Sequence, residues 1–210
     1  MFPLRDVIPS RTTPVVTVLI IVLNVLAFLY EQSFDQQSLD VFLRTWGFVP
    51  AVFAWPTIFT SMFLHGGLWH LAGNMWSFWI FGDNVEDRFG HGTFLVFYLI
   101  CGLAATFAQL MVDPGSRVPN LGASGAIAGV LGSYILLFPR GTVRVLQGQQ
   151  VVQMPALMVI GFWIVLQLFS GIGSIAGAAE TGGVAYMAHV GGFAAGCLLT
   201  LLMRGRTATA

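Results

Sequence analysis

Residues 118–139, VPNLGASGAIAGVLGSYILLFP, form a stretch of 22 residues without an acidic or basic side chain. Outside it, the chain has five further charge-free intervals of 19 residues or more: 12–30, 45–82, 89–112, 145–179 and 181–203. A transmembrane helix needs about 20 mostly apolar residues. The six intervals therefore predict six transmembrane helices. Two of them, 45–82 and 145–179, are longer than one span and must also contain a loop.

The composition agrees with this prediction. Hydrophobic residues make up 56% of the 210 residues and charged residues only 9%, against about 25% charged in soluble domains. These values exclude a soluble enzyme and a disordered chain, and the formal net charge of +0 leaves no basic surface for nucleic acid. We expect one all-α membrane domain over residues 1–210, a polytopic bundle with helices near 14–30, 59–81, 92–112, 124–138, 154–170 and 184–203.

The arginines predict the orientation, because the chain contains no Lys. With the N-terminus inside, seven of the nine Arg lie on inner segments, and only Arg44 and Arg117 lie on outer loops. The positive-inside rule then places both termini in the cytoplasm. The long first loop, 31–57, mixes charged and aromatic residues and is expected at the membrane interface. Because no cleavable signal is recognised at the N-terminus, a prokaryotic plasma membrane is the expected location.

Polar residues within the predicted spans are candidate functional residues, since ionisable groups are costly at bilayer depth. No Asp or Glu falls inside the six predicted spans, which excludes a paired-carboxylate protease and makes a proton-relay transporter or channel a weak alternative. The polar candidates that remain are His65, His70, Asn74, Ser124 and His189. We expect His91 to be a solvated loop residue, and Cys101 and Cys197 to be buried apolar residues without a function.

Four of these candidates have the same predicted depth. At about 1.5 Å per residue, Ser124 lies roughly 24 Å, His189 roughly 22 Å and His70 roughly 20 Å from the cytoplasmic edge. Asn74 follows His70 by one helical turn on the same face. A shared level on three helices is what one site requires, and this level is nearer to the outer surface than to the inner one.

Small residues follow both Ser124 and His189. Gly125 and Gly129 lie on the fourth predicted span, and Gly192 and Gly196 lie on the sixth. Such spacings let two membrane helices approach closely, which would bring Ser124 and His189 within hydrogen-bonding distance. The alternative is that both stripes serve packing alone, with Ser124 and His189 as an interhelical hydrogen bond.

Chemistry favours a catalytic site over packing alone. A Ser hydroxyl needs a base to become a nucleophile, and His is the usual base. Ser124 opens a predicted helix, so backbone N–H groups near Gly122 can stabilise an oxyanion there. His70 and Asn74 add side-chain donors at the same depth. His65 lies five residues before His70, about 140° around a helix, so a two-His metal site is not expected. We expect His65 to link the interfacial loop to the second helix.

Three motifs resemble those of the rhomboid family of intramembrane serine proteases. GASG at 122–125 resembles the family's nucleophile motif, HLAGN at 70–74 its oxyanion pair, and AHVGG at 188–192, with Gly196, its catalytic His and glycine stripe. The resemblance covers nearly the whole chain, as a minimal six-helix member. It implies cleavage of peptide bonds in or beside transmembrane helices of membrane-protein substrates in the bilayer, by a dyad of Ser124 and His189 and without a metal or other cofactor.

The resemblance also implies that substrates enter laterally, near the fifth helix and the loop at 171–183. Two positions depart from the family pattern. Trp55 is followed by Pro where some members have Trp-Arg, and Ala128 stands where some have a Tyr stacked on the catalytic His. Another group must therefore orient His189. An inactive rhomboid relative is a further alternative, although such proteins typically lack the Ser or the His.

Overall fold

The computed structural model describes residues 2–175 and 185–207. The chain is mostly helical, and its helices are α1 (Val15–Glu31), α2 (Gln36–Trp46), α3 (Trp55–Thr60), α4 (Leu68–Phe89), α5 (His91–Val112), α6 (Ser124–Leu137), α7 (Ala156–Ile175) and α8 (Tyr186–Thr207). Three helical segments in the described part are long and apolar enough to cross a membrane: His91–Val112, Ala156–Gly173 and Tyr186–Met203. Val15–Glu31 and Ser124–Leu137 are shorter apolar helices. The prediction of a helical membrane protein is confirmed, and its six spans remain a prediction.

Helix α6 lies at the centre of the bundle. It packs against α4, α5, α7 and α8, and every residue from Gly125 to Tyr134 is buried. A helix that is apolar on all sides is stable only when it is surrounded. The outer helices instead expose large apolar side chains, for example Leu26 on α1, Phe169 on α7 and Leu202 on α8. These outward faces suit a lipid environment.

Close packing of α6 depends on glycines. A Cβ on Gly192 or Gly196 of α8 would collide with the backbone of Gly125 or Gly129, respectively. The missing side chains of Gly125 and Gly129 face a third helix, because a Cβ there would lie 2.5 Å from Ala105 or Cys101 of α5. The small residues of α6 therefore admit two neighbours, α5 on one side and α8 on the other.

The all-α expectation missed a three-stranded antiparallel sheet of β1 (Phe2–Asp6), β2 (Thr142–Gln147) and β3 (Gln150–Pro155), in the order β1-β2-β3. Val143 and Val145 are fully buried, whereas the intervening Arg144 is not. This alternation is the period of a half-buried strand. Gly148, with a φ of 62° in the turn between β2 and β3, adopts the left-handed conformation that glycine tolerates best.

The second predicted helix has the wrong bounds. The 59–81 segment begins as α3 and a 3₁₀ turn at Ser61–Phe63, and α4 starts only at Leu68, after two glycines. Helix α4 then continues past the predicted end through three acidic residues to Phe89. Its end is set by Gly90, with a φ of 75°, rather than by the first charge. Charge-free length alone could not locate either boundary.

A buried carboxylate explains why α4 continues past its charges. Glu86 is fully buried and accepts hydrogen bonds from the backbone N–H groups of Val16 and Thr17, each at 2.8 Å. These N–H groups open α1, where the helix dipole favours negative charge. The imidazole Nδ1 of His91 lies 2.5 Å from Glu86 Oε1. His91, expected to be a solvated loop residue, is half exposed but paired, at the first position of α5.

Candidate active site

Ser124 and His189 come together at the junction of α6 and α8. The Nε2 atom of His189 lies 2.8 Å from the Oγ atom of Ser124, a hydrogen-bonding distance. Both side chains are half-buried. Ser124 is the first residue of α6, and His189 lies one turn before Gly192, which touches the backbone of Gly125. The glycine contact thus fixes the distance between the two side chains.

The segment before Ser124 turns sharply towards α4. Gly122 has a φ of 114°, which an L side chain rarely adopts, and its N–H donates to the Ser61 carbonyl at 2.9 Å. A Cβ at Gly122 would lie 2.9 Å from His70 Nε2 and 3.3 Å from Asn74 Nδ2. His70 and Asn74 therefore lie directly beside the start of α6. The first backbone N–H groups of α6 have no acceptor within the helix.

His65 lies outside helix α4, contrary to the predicted placement 140° around one helix. Because α4 begins at Leu68, the His65 ring lies 5.0 Å from the His70 ring. Asn74 Nδ2 donates to His65 Nε2 at 2.9 Å, and the His65 backbone N–H donates to Glu31 at 3.2 Å. His65 thus connects Glu31, which is the last residue of α1 rather than part of the first loop, to Asn74 of α4. No group of His, Cys, Asp or Glu suited to a metal occurs within the described residues.

A cavity of about 960 Å³ adjoins Ser124 and His189. Its walls are formed mainly by α4 and α7, with apolar side chains such as Phe81, Phe162 and Leu166, and it extends as far as Pro3 of β1. This volume is within the usual range of ligand sites. The family resemblance implies substrate entry near the loop at 171–183. Residues 171–175 belong to the end of α7, and residues 176–183 lie outside the described residues.

Two side chains of α7 at the site were missed by sequence reasoning. Gln167 Oε1 lies 2.6 Å from His189 Nδ1, and the ring of Trp163 lies 5.6 Å from the His189 ring. The two residues are four positions apart and share one face of α7. Gln167 could have been found from the sequence, because it is a single amide in a predicted apolar span. Polar side chains in such spans usually form hydrogen bonds to other helices.

Comparison with known proteins gives consistent matches. A model of the rhomboid domain matches residues 52–206. Rhomboid protease GluP of Bacillus subtilis is 34% identical over 126 residues, which cover 58% of this chain and 24% of that protein. Rhomboid protein 1, mitochondrial, of Saccharomyces cerevisiae is 33% identical over 147 residues, 68% of this chain and 40% of that protein. The chain thus spans less than half the length of these relatives.

Proposed function

Because this chain belongs to the rhomboid family, we propose that it is an intramembrane serine endopeptidase that hydrolyses peptide bonds in or next to transmembrane helices. In this proposal Ser124 is the nucleophile and His189 the base. The observation that carries it is the 2.8 Å contact between Ser124 Oγ and His189 Nε2. A Ser hydroxyl bonded to an imidazole is the arrangement from which a nucleophile is generated.

The chemistry follows from this contact. His189 Nε2 accepts the Ser124 hydroxyl proton as Oγ attacks the scissile carbonyl carbon, giving a tetrahedral intermediate with a negatively charged oxygen. The imidazolium then donates the proton to the leaving amine as the C–N bond breaks, which leaves an acyl-enzyme on Ser124. Water then attacks the ester and gives a proton to His189, which passes it to Ser124 Oγ as the acyl C–O bond breaks and the carboxylic acid product leaves. No cofactor or metal takes part in any of these steps.

The start of α6 supplies the groups that stabilise the oxyanion. Its first backbone N–H groups, which have no acceptor within the helix, and the positive end of its dipole would stabilise the negatively charged oxygen of a substrate attacked by Ser124. His70 and Asn74 contribute side-chain donors from α4, next to Gly122. The left-handed turn at Gly122 lets α4 approach α6 without a side chain between them.

The cavity suits a membrane-protein substrate. It lies between α4 and α7, its walls are mainly apolar, and it reaches Ser124 and His189. A transmembrane segment that unwinds near its end could place an extended backbone against the start of α6 while its apolar side chains occupy the cavity. We therefore propose that the partners are the bilayer and single-span or multi-span membrane proteins, with entry beside α7.

The helices α1, α4, α5, α6, α7 and α8 would form six spans of a single rhomboid-like domain over residues 1–210. With seven Arg on the inner segments, both termini face the cytoplasm and the site opens towards the exterior. We propose a prokaryotic plasma membrane as the location. Because some relatives are named as mitochondrial, a mitochondrial membrane is the alternative location.

Labelling of the purified protein with a fluorophosphonate probe tests this proposal. We expect modification of Ser124, with loss of both labelling and cleavage of a model single-span substrate in Ser124→Ala and His189→Ala. Ser116→Ala, at a partly exposed serine on the loop before α6, serves as the matched control and keeps both activities. Cleavage at the wild-type rate by Ser124→Ala would refute the proposal, and an unlabelled wild type that binds the substrate would support an inactive relative.

A further inference from the structure

We propose that Gln167 is the residue that positions His189, holding its ring in the tautomer that can accept the Ser124 proton. This inference rests on the proposed function. The evidence is a continuous line of contacts across three helices: Gln167 Oε1 on α7, 2.6 Å from His189 Nδ1 on α8, and His189 Nε2, 2.8 Å from Ser124 Oγ on α6. Gln167 does not touch Ser124 and acts through His189.

The tautomer follows from the donors and acceptors on this line. A neutral imidazole carries one N–H, and the carbonyl oxygen of an amide can only accept. Gln167 Oε1 therefore requires the proton to be on His189 Nδ1, which leaves a lone pair on Nε2. That lone pair is what Ser124 needs in order to lose its proton. In the other tautomer, Nε2–H would point at Ser124 and no base would be present.

The composition of α7 explains why an amide at this place needs a partner. No residue from Ala156 to Ile175 carries a charge, and Gln167 is the only amide in the helix. A polar side chain in such a helix is stabilised by hydrogen bonding to another helix, and His189 is the group it reaches. Trp163, one turn earlier, packs on the same imidazole. In this proposal Gln167 and Trp163 orient the His189 ring, which Ala128 cannot do because it lacks the Tyr ring that some family members have at that position.

The position of Gln167 couples the base to the cavity. Helix α7 forms one wall of the cavity through Phe162, Trp163 and Leu166, and the next residue holds His189. A displacement of α7 that widens the cavity by more than about 1 Å would lengthen the 2.6 Å contact beyond hydrogen-bonding range. His189 is then a competent base only while α7 lies against α8.

Variants of Gln167 separate orientation from packing. Gln167→Leu keeps the volume and removes the acceptor, and we expect kcat to fall about 3- to 10-fold with little change in KM, the value of one net hydrogen bond. Gln167→Glu keeps an acceptor, so activity is retained at high pH. Its carboxylate favours the imidazolium, so the acid limb of the pH–rate profile moves up by about one unit. Val165→Ala, on the exposed face of α7, should leave kcat, KM and pH profile unchanged.

Nitrogen NMR of histidine-labelled protein reports the tautomer without requiring activity. We expect a protonated Nδ1 for His189 in the wild type and a mixture of tautomers in Gln167→Leu. The same tautomer in both proteins, or a pH–rate profile in Gln167→Glu identical to that of wild type, would overturn the inference. Failure of the wild type to react with a fluorophosphonate would instead refute the proposed function, so the two failures are distinguishable.

Discussion

The close contact between Gly125 of α6 and Gly192 of α8 should be needed for full kcat/KM, because it holds Ser124 and His189 at hydrogen-bonding distance. The substitution Gly192→Ala tests this directly. A Cβ at position 192 would overlap the Gly125 carbonyl oxygen and lie 2.8 Å from its carbonyl carbon. Carbon atoms in contact are ordinarily about 3.5–4.0 Å apart. Relief of the overlap therefore requires the two helices to separate by about 1 Å. Both contact surfaces are backbone, so no side-chain rotation can provide the space.

The same displacement acts on the proposed dyad. Ser124 adjoins Gly125, and His189 lies one turn from Gly192, so a separation of about 1 Å takes the 2.8 Å Ser124–His189 contact to about 3.8 Å. That distance is too long for a hydrogen bond. Because a misplacement of about 1 Å can cost about 100-fold in rate, we expect kcat/KM to fall about 100-fold. The overpacking should also cost about 1–3 kcal/mol of stability.

The assay is cleavage of a fluorescent single-span substrate in lipid vesicles, with thermal unfolding measured on the same samples. Gly161→Ala on α7 is the matched control, because a Cβ there meets nothing within 4 Å. Gly196→Ala introduces a similar overlap, with Gly129, two turns from His189. It should lose comparable stability but less activity. A Gly192→Ala protein within about threefold of the wild-type kcat/KM would refute the reasoning.

Two further predictions concern α4 and the sheet. Asn74→Ala should slow turnover about 10- to 100-fold, because one oxyanion donor is lost while others remain, and an unchanged kcat would remove Asn74 from the site. Burial, with a smaller contribution from the negative charge of Asp83, raises the pKa of Asp6 from 3.8 to about 6, although a hydrogen bond from Tyr134 lowers it. A carboxyl with a raised folded-state pKa stabilises the fold below its unfolded pKa and loses this contribution as pH rises through about 6. The Tm of the wild type minus that of Asp6→Asn should therefore fall between pH 4 and 7, and a constant difference would contradict this.

Charge spacing predicted the helices well because charged residues avoid lipid. The observed bounds of α1, α5 and α6 lie within one residue of the predicted ones, and α8 begins within two. Depth counted along the helices predicted that Ser124, His189, His70 and Asn74 would lie at one level, and the structure brings these side chains together. Both rules depend only on the rise per residue and on the thickness of the membrane, so they need no knowledge of tertiary contacts.

Other features depend on rotation and on tertiary contacts, which charge spacing does not encode. The hairpin at Thr142–Pro155 carries an alternation of Val and polar residues. Half of its first strand lies between two charge-free intervals, where charge spacing predicts no element. Gln167 was visible as an amide within an apolar span. Its alignment with His189 depends on the rotation of α7 about its axis, and no single helix sequence specifies that rotation.

Charge spacing uses every carboxylate only as a marker of the membrane boundary, so it does not predict the hydrogen bonds that Glu31 and Glu86 accept. Glu86 accepts from N–H groups at the start of α1, and Glu31, at the other end of α1, accepts from the backbone N–H of His65. Both are almost fully buried. The start of α1 is thus joined by a carboxylate to α4, and the end of α1 to the segment just before α4. From that segment the contacts continue from His65 to Asn74. Carboxylates near the ends of α1 and α4 therefore also hold the first helix to the site, because a buried carboxylate needs N–H donors.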